Sequence, residues 1–166
     1  MTIIMSSQIT RRIMEPKKVK ESLTVMCEFV LPDDANTLGN LRGGKLIDWM
    51  DIAGEITAQR HSGMEAVTAS IAQVTFRKAI RVGDIVTIKA RMTRTFRTSM
   101  EIKVEVWAEN RARPRRVRTN EAIFTYVAVD AGGKTTPVPG IIPVGEKEKL
   151  LYEEAGKRRK NNGTHP

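Results

Sequence analysis

One stretch of helical periodicity, residues 43–61, limits how this chain can fold more than any other feature. Its apolar residues recur every three or four positions, which is the spacing of an α-helix with one buried face. Every other patterned segment before residue 144 alternates with the two-residue period of a β-strand. A single long helix among strands predicts an α+β fold in which a mostly antiparallel sheet packs against that helix. The buried face of the helix is predicted to consist of Leu46, Trp49, Met50, Ala53, Ile56 and Thr57.

Five segments alternate in this way and are predicted to be the strands of one sheet. They are longer than the usual five or six residues, as a sheet that curves around one helix requires. The second half of the fifth, AIFTYVAV, is apolar on both faces, which is typical of a central strand. In the first, Cys27 lies on the apolar face and is expected in the core. The predicted strands are residues 22–31, 67–76, 85–95, 99–108 and 117–129.

The two ends of the chain differ from its patterned middle. Residues 1–20 are basic and lack periodicity, so we expect a flexible arm. Residues 21–145 are expected to form one domain, followed by a polar C-terminal helix and tail over residues 146–166. The proline-rich segment 137–144 before that helix is predicted to be extended, because proline cannot continue a ladder or a helix interior.

The composition excludes several kinds of site. One cysteine cannot form an internal disulfide and is typical of a reducing compartment, which predicts a cytoplasmic protein. Two histidines and one cysteine are too few for a zinc site built from these residues, so no metal is expected. No phosphate-loop or dinucleotide-binding glycine motif occurs. The chain has no run of about 18 apolar residues, so no membrane span is predicted. Its first residues lack the apolar stretch of a signal peptide, so no secretory signal is predicted.

The chain is basic, with 28 Lys and Arg against 19 Asp and Glu. A net positive charge attracts anions such as nucleic acid, an anionic membrane or a phosphorylated small molecule. The densest basic runs are residues 111–118 and 157–160. Aromatic residues make up 5% of the chain and none lies inside these runs, so the stacking platform of a single-strand nucleic-acid binder is not predicted.

Four segments in this order resemble the hotdog-fold acyl-CoA thioesterases. They are NTLGNLRGGKLIDWMDIAGEITAQRHS, VTASIAQVTFRKAIRVGDIVTIKARM, TSMEIKVEVWAEN and EAIFTYVAVD, and the resemblance covers about residues 20–145. The most similar branch is the cytosolic acyl-CoA hydrolase family, which includes brain acyl-CoA hydrolase and bacterial relatives with a single hotdog domain. The resemblance implies a long curved antiparallel sheet of about five strands wrapped around one central helix.

The same resemblance implies an activity and an assembly. Members of that family hydrolyse fatty acyl-CoA to free fatty acid and CoA, which is a reaction of fatty acid metabolism. Coenzyme A is then part of substrate and product, and no further cofactor is required. Single-domain members pair into dimers and form hexamers as trimers of dimers, so a homohexamer is expected here. No nucleic-acid partner is implied.

The catalytic pair of the family maps onto Asn36 and Asp51. Thioester hydrolysis needs an activated water or a nucleophile, and Asp51 can serve as general base or as nucleophile. Gly43 and Gly44 would let the backbone approach the thioester carbonyl, and the free N–H groups of the helix start would polarise it. Asn36 would orient the water or hold the carbonyl.

Each of these residues also has a simpler explanation. Asp51 shares one side of the helix with Asp48 and Glu55, as residues of a solvated acidic face do. Asn36 lies among turn-forming residues and would serve equally well as one of them. Asn40, four residues later, is a plausible cap for the helix and competes for the role of the catalytic amide.

The phosphates of coenzyme A require cationic partners, for which arginine and lysine are suited. By resemblance, two regions border the nucleotide groove, and the pantetheine arm follows strand edges. A solvated turn is the alternative explanation for the basic residues. The candidates are Arg77, Lys78 and Arg81 after the second strand, Thr98 and Ser99 at the start of the fourth, and Thr68 and Ser70 for the arm.

Two other functions are compatible with parts of this pattern. Hotdog domains also serve as non-catalytic acyl-CoA or nucleotide-binding regulators, and fold alone does not imply catalysis. The presence of both Asn36 and Asp51 favours the enzyme. The third candidate is nucleic-acid binding through Arg111–Arg118.

Overall fold

The computed structural model describes residues 14–110 and 112–161. Within these ranges it contains three α-helices and seven strands, with a short 3₁₀ turn at Pro32–Asp34. In chain order the elements are β1 (Lys17–Lys18), α1 (Val19–Ser22), β2 (Thr24–Phe29), α2 (Gly43–Ser62), β3 (Glu65–Phe76), β4 (Ile85–Thr95), β5 (Ser99–Asn110), β6 (Arg113–Val129), β7 (Ile141–Ile142) and α3 (Gly145–Asn161).

Five of the strands form one antiparallel sheet in the order β2-β4-β5-β6-β3. The predicted α+β class and hotdog architecture are confirmed, because this sheet packs around α2. The strand that is apolar on both faces, β6, lies between β5 and β3 as expected. None of the helices in the described ranges is long and apolar enough to cross a membrane.

The core lies between α2 and the inner face of the sheet. The predicted stripe of the helix is buried at Leu46, Trp49, Met50 and Ala53, while Ile56 is only half-buried. Opposite it, alternate residues of β4, β5 and β6 point inward and are buried, which is the pattern that the two-residue period predicts. The largest of these inward side chains are Ile88, Met92, Met100, Ile102, Phe124 and Tyr126.

The prediction for Cys27 is wrong, since its side chain is exposed. Strand β2 turns its other face inward, and there Thr24 accepts a hydrogen bond from the hydroxyl of Thr57 on α2 at 2.8 Å. The apolar face lies outside, with Val25 and Phe29 exposed by 56% and 55%. Alternation identifies the residues that share a face but not which face meets the helix, and here the inward face contains Thr24 and Met26.

The last residues of the predicted flexible arm, which was expected to end at residue 20, belong to regular structure. Lys17 and Lys18 pair in parallel with Ile141 and Ile142, and the Lys17 ammonium donates to the carbonyl of His61 at 2.6 Å. The proline-rich segment is extended as predicted, and it supplies this pairing. Residues 1–13, most of the predicted arm, lie outside the described ranges.

Helix α3 packs on the outer face of the sheet, through Leu151 and Ala155. Its Arg158 donates to both carboxylate oxygens of Glu101 on β5, at 2.7 and 3.1 Å. Since Glu101 is itself buried, this bidentate pair fixes the helix by charge as well as by packing.

His61 is fully buried at the end of α2, with Nε2 3.0 Å from the carbonyl oxygen of Pro139. A carbonyl can only accept, so Nε2 carries the proton and donates it. Burial lowers the pKa of His61, and the hydrogen bond to Pro139 offsets this only in part. The imidazole ring of His61 is therefore neutral in the folded state.

We expect the protein to lose stability in mild acid because of His61. Below the unfolded pKa of about 6.5, the unfolded chain binds a proton that the native chain does not, and the free energy of unfolding falls by up to about 1.4 kcal/mol per pH unit. Above that pH neither the folded nor the unfolded chain carries this proton, so His61 no longer makes the free energy of unfolding depend on pH. The measurement is chemical denaturation between pH 5 and 7.5, with His61→Gln as the comparison. An equal pH dependence in the variant would contradict the assignment.

Candidate active site

The start of α2 presents free backbone donors. The residue before it, Arg42, has an extended backbone and makes no side-chain cap, so Asn40 does not cap this helix. The N–H groups of the first turn have no partner within the helix. A side chain at Gly44 would meet nothing within 4 Å, and one at Gly43 would make ordinary contact with the ring of Phe76. A ligand can therefore approach this backbone closely.

Asn36 shapes the loop that leads to the helix. Its Oδ1 accepts from the backbone N–H of Leu38 at 3.0 Å and of Asn40 at 3.1 Å. The turn-forming explanation is thus correct for the side-chain oxygen. The Nδ2 group takes no part in these bonds, so what Asn36 can offer a ligand is a donor.

Asp51 differs from the other acidic residues on its helix. Its Oδ1 accepts two hydrogen bonds at 2.8 Å, from the hydroxyls of Thr68 on β3 and Tyr126 on β6. The side chain of Asp48 is 62% exposed and lies 3.9 Å from the ammonium of Lys45. The acidic-face explanation therefore fits Asp48, whereas Asp51 is held against the sheet by two neutral donors.

Tyr126 and Gly54 belong to this site and were not predicted from the sequence. The Tyr126 ring is fully buried, and its hydroxyl lies 2.9 Å from the carbonyl oxygen of Asp51 as well as bonding the carboxylate. Burial raises the pKa of the Tyr126 phenol, and the bond to Asp51 raises it further, so the phenol remains a neutral donor. A methyl group at position 54 would overlap this hydroxyl. A glycine inside a helix, opposite a tyrosine in an apolar strand, was the available signal.

The residues expected to bind coenzyme A do not converge within one chain. Arg77, Lys78 and Arg81 follow β3 near the start of α2. Thr98 and Ser99 lie at the opposite end of the sheet, since Ser99 pairs with Val127 and Phe76 with Asn120, about 23 Å further along β6.

Individually, these candidates are in different environments. Arg77 is bound to Glu121 at 2.6 Å, and Ser99 is buried. Burial would raise the pKa of Glu121, but Lys103, Arg118 and Arg77 outweigh it and lower that pKa. Thr68 faces Asp51, and Ser70 is exposed on the same strand.

Comparison with known proteins identifies the family. The model of the thioesterase superfamily matches residues 38–115. An uncharacterized acyl-CoA thioester hydrolase of Bacillus subtilis is 37% identical over 91% of this chain and 90% of its own. This chain belongs to the hotdog-fold acyl-CoA thioesterases. The human cytosolic acyl coenzyme A thioester hydrolase is 39% identical over 87% of this thioesterase chain, which matches 38% of that longer protein.

Solved structures of other thioesterases have the same architecture. A hexameric acyl-CoA thioesterase superimposes with a TM-score of 0.85 at 41% identity, over 89% of this chain and 94% of that one. An acyl-CoA hydrolase of Staphylococcus aureus, solved with butyryl coenzyme A and coenzyme A, gives 0.82 at 32% identity, over 88% and 89% of the chains. Variants of that protein carry alanine in place of an aspartate, an asparagine or a threonine.

The contact between Gly54 and Tyr126 gives a test on stability. Gly54→Ala should lower the free energy of unfolding by about 1–3 kcal/mol, because the added methyl forces the helix away from the phenol. Gly44→Ala, in the same helix but facing open space, is the control and should be neutral or stabilising by up to about 1 kcal/mol. Urea denaturation measures both. Equal effects would show that the close contact at Gly54 has no energetic role.

Proposed function

We propose that this protein hydrolyses fatty acyl-CoA thioesters, with Asp51 as general base or nucleophile. The observation that carries the proposal is the Asp51 carboxylate, half-buried beside the sheet with Oδ1 held by two hydroxyls. Oδ2 takes no part in those bonds and can accept a proton from water or attack the carbonyl carbon. In the first case the oxygen of that water bonds to the carbonyl carbon; in the second the carboxylate forms an anhydride that water then hydrolyses. In both cases the C–S bond breaks, the sulfur takes up a proton, and the thiol of coenzyme A and a fatty acid leave. The names of the relatives support this chemistry.

We propose that the loop before α2 and the first turn of α2 bind the oxyanion that forms during hydrolysis. The carbonyl oxygen of the thioester gains negative charge as it is attacked, and donors aimed at it lower the barrier. The first N–H groups of α2 and Nδ2 of Asn36 are such donors. A carboxylate and an oxyanion site together favour an enzyme over a non-catalytic acyl-CoA sensor, which needs neither.

The proposed site requires two chains. Asp51 lies eight residues after Gly43, which is about 12 Å along the helix, so one chain does not bring both to one carbonyl. Strand β3, which carries Thr68, forms an edge of the sheet, and its Val67 and Ile71 are 51% and 40% exposed. Pairing of β3 with a second copy would cover this edge and bring Asp51 of one chain to the helix start of the other. The hexameric relative supports assembly into a trimer of such dimers.

The spacing of the residues replaced in the Staphylococcus aureus protein supports the same assignment. Its asparagine precedes its aspartate by 15 positions, and its threonine follows the aspartate by 17. Asn36, Asp51 and Thr68 have the same spacing in this chain.

We further propose that basic side chains of the 77–81 turn bind the phosphates of coenzyme A. Lys78 and Arg81 are both exposed there, beside the start of α2. Thr98, which lies at the other end of its own sheet, would contribute from a neighbouring subunit, whereas Ser99 is buried within its own chain. A cytosolic location is consistent with the name of the human relative.

Release of free thiol from acyl-CoA substrates tests the catalytic pair. Asp51→Asn keeps the shape but removes the base, so kcat should fall by about 10²–10⁴-fold. The kcat of Asn36→Ala should fall less, because the N–H groups at the start of α2 can still donate to the carbonyl. When the two variants are refolded together, each mixed dimer has one site with both native residues, and activity should partly return.

Mixed dimers are confirmed by native mass spectrometry, and each variant refolded alone is the control. If mixed dimers form without regaining activity, the two residues do not act across the interface. If the wild-type protein releases no thiol from any acyl-CoA between short and long chains, the catalytic proposal itself is wrong and the sensor alternative gains support.

Thr68 and Tyr126 are proposed as positioning residues for Asp51. Thr68→Val keeps the shape of the side chain and removes its donor, whereas Thr68→Ser keeps the donor. We expect Thr68→Val and Tyr126→Phe to lower kcat by about 10- to 100-fold with little change in KM, because a misplaced carboxylate affects chemistry rather than binding. Thr68→Ser should remain close to the wild type. Equal rates for the valine and serine variants would remove the hydroxyl from the mechanism.

A further inference from the structure

A cavity of about 240 Å³ opens beside the start of α2. Its walls are mostly apolar and include Leu41, Leu46 and Ile80, all buried. Arg77 and Lys78 stand at its exposed side. A water molecule occupies about 30 Å³ and a drug-sized ligand needs 300–1,000 Å³, so this space fits one portion of a larger substrate.

Asn120 on β6 is one of the residues around this cavity, and its amide oxygen is an unsatisfied acceptor among the described residues. The side chain is only 2% exposed, and its Nδ2 donates to the carbonyl of Thr75 at 3.3 Å. That carbonyl can only accept, so the amide must present nitrogen to it and keep its oxygen for the other side. The oxygen is buried and has no partner within the described part of the chain. A buried acceptor without a donor is costly, and native proteins seldom keep one without a reason.

We propose that Oδ1 of Asn120 accepts a hydrogen bond from an N–H or O–H group of the bound thioester substrate. The proposal rests on the function proposed above, and it makes Asn120 a specificity-determining residue of that site. Apolar walls, one buried acceptor and cations at the mouth match a ligand with an apolar body, one donor and nearby phosphates. Coenzyme A esters have this chemistry.

The donor can come from two parts of the substrate. The pantetheine arm carries two amide N–H groups in every acyl-CoA, whereas the acyl group carries a donor only when it is hydroxylated. If the arm supplies the donor, Asn120 contributes equally to all acyl-CoA substrates and to free coenzyme A. If the acyl group supplies it, Asn120 selects hydroxyacyl substrates.

The test compares Asn120→Leu with Thr119→Val in the assembled protein. Leucine has nearly the shape of asparagine without its hydrogen bonds. Thr119 is the preceding residue of β6, equally buried, but it bonds the carbonyl of Val106 and does not line the cavity. The measurements are the affinity for free coenzyme A by calorimetry, kcat/KM for butyryl-CoA and 3-hydroxybutyryl-CoA, and the Tm of the free protein.

We expect Asn120→Leu to lower the affinity for coenzyme A, kcat/KM, or both by about 2- to 13-fold, which corresponds to the loss of one neutral hydrogen bond. A loss for free coenzyme A and both esters assigns the donor to the pantetheine arm, and a loss for the hydroxyacyl ester alone assigns it to the acyl group. Thr119→Val should leave both the affinity for coenzyme A and kcat/KM unchanged. Leucine removes both the unpaired oxygen and the bond to the Thr75 carbonyl, so the Tm of Asn120→Leu is measured to separate a loss of folding from a loss of binding.

Unchanged affinity and kcat/KM in Asn120→Leu would overturn the proposal and leave a bound water as the partner. If this variant does not fold, Asn120→Ser, whose shorter side chain withdraws the acceptor, is measured in the same way. Calorimetry with free coenzyme A does not depend on turnover. An inactive wild type would therefore refute the proposed hydrolysis and still leave the role of Asn120 measurable.

Discussion

The close packing of α2 on β6 at Gly54 is the contact on which both the core and the site depend. Because residue 54 has no side chain, the ring of Tyr126 fits directly beneath the helix. A buried phenol needs a partner for its O–H group, and here the partner is Asp51. The arrangement that fills the core therefore also fixes the direction of the Asp51 carboxylate. Helix position and carboxylate orientation cannot vary independently in this fold.

The parts of the fold that sequence predicts well are those in which one face of an element is much more apolar than the other. The bounds of β4 agree with the prediction, and α2 differs by one residue at its end. Both have strong periodicity and a continuous buried face. Asp51, Asn36 and the two glycines were proposed as site residues through family resemblance, because the spacing of Asp51 alone does not distinguish it from a surface carboxylate.

What sequence could not provide is the contact between distant residues. Thr68 and Tyr126 reach Asp51 because β3 and β6 pair in a register that contains irregularities between Thr68 and Ser70 and between Ala72 and Thr75. Alternation does not specify that register. The exposed side of β2 was missed for a related reason, since the pairing of Thr24 with Thr57 depends on where the helix lies. Chemistry that arises from tertiary pairing is seen only once the register is known.

The pairing of β1 with β7 has a consequence for the order in which the chain folds. Its two strands come from opposite ends of the domain, and the entropy of closing so long a loop is unfavourable until the intervening chain is compact. We therefore expect the five-stranded sheet to form first and the β1–β7 pair to close afterwards over the last turn of α2. We expect the same short pairing to open before the sheet on partial unfolding, which would expose His61 to solvent while the strands next to Asp51 stay paired.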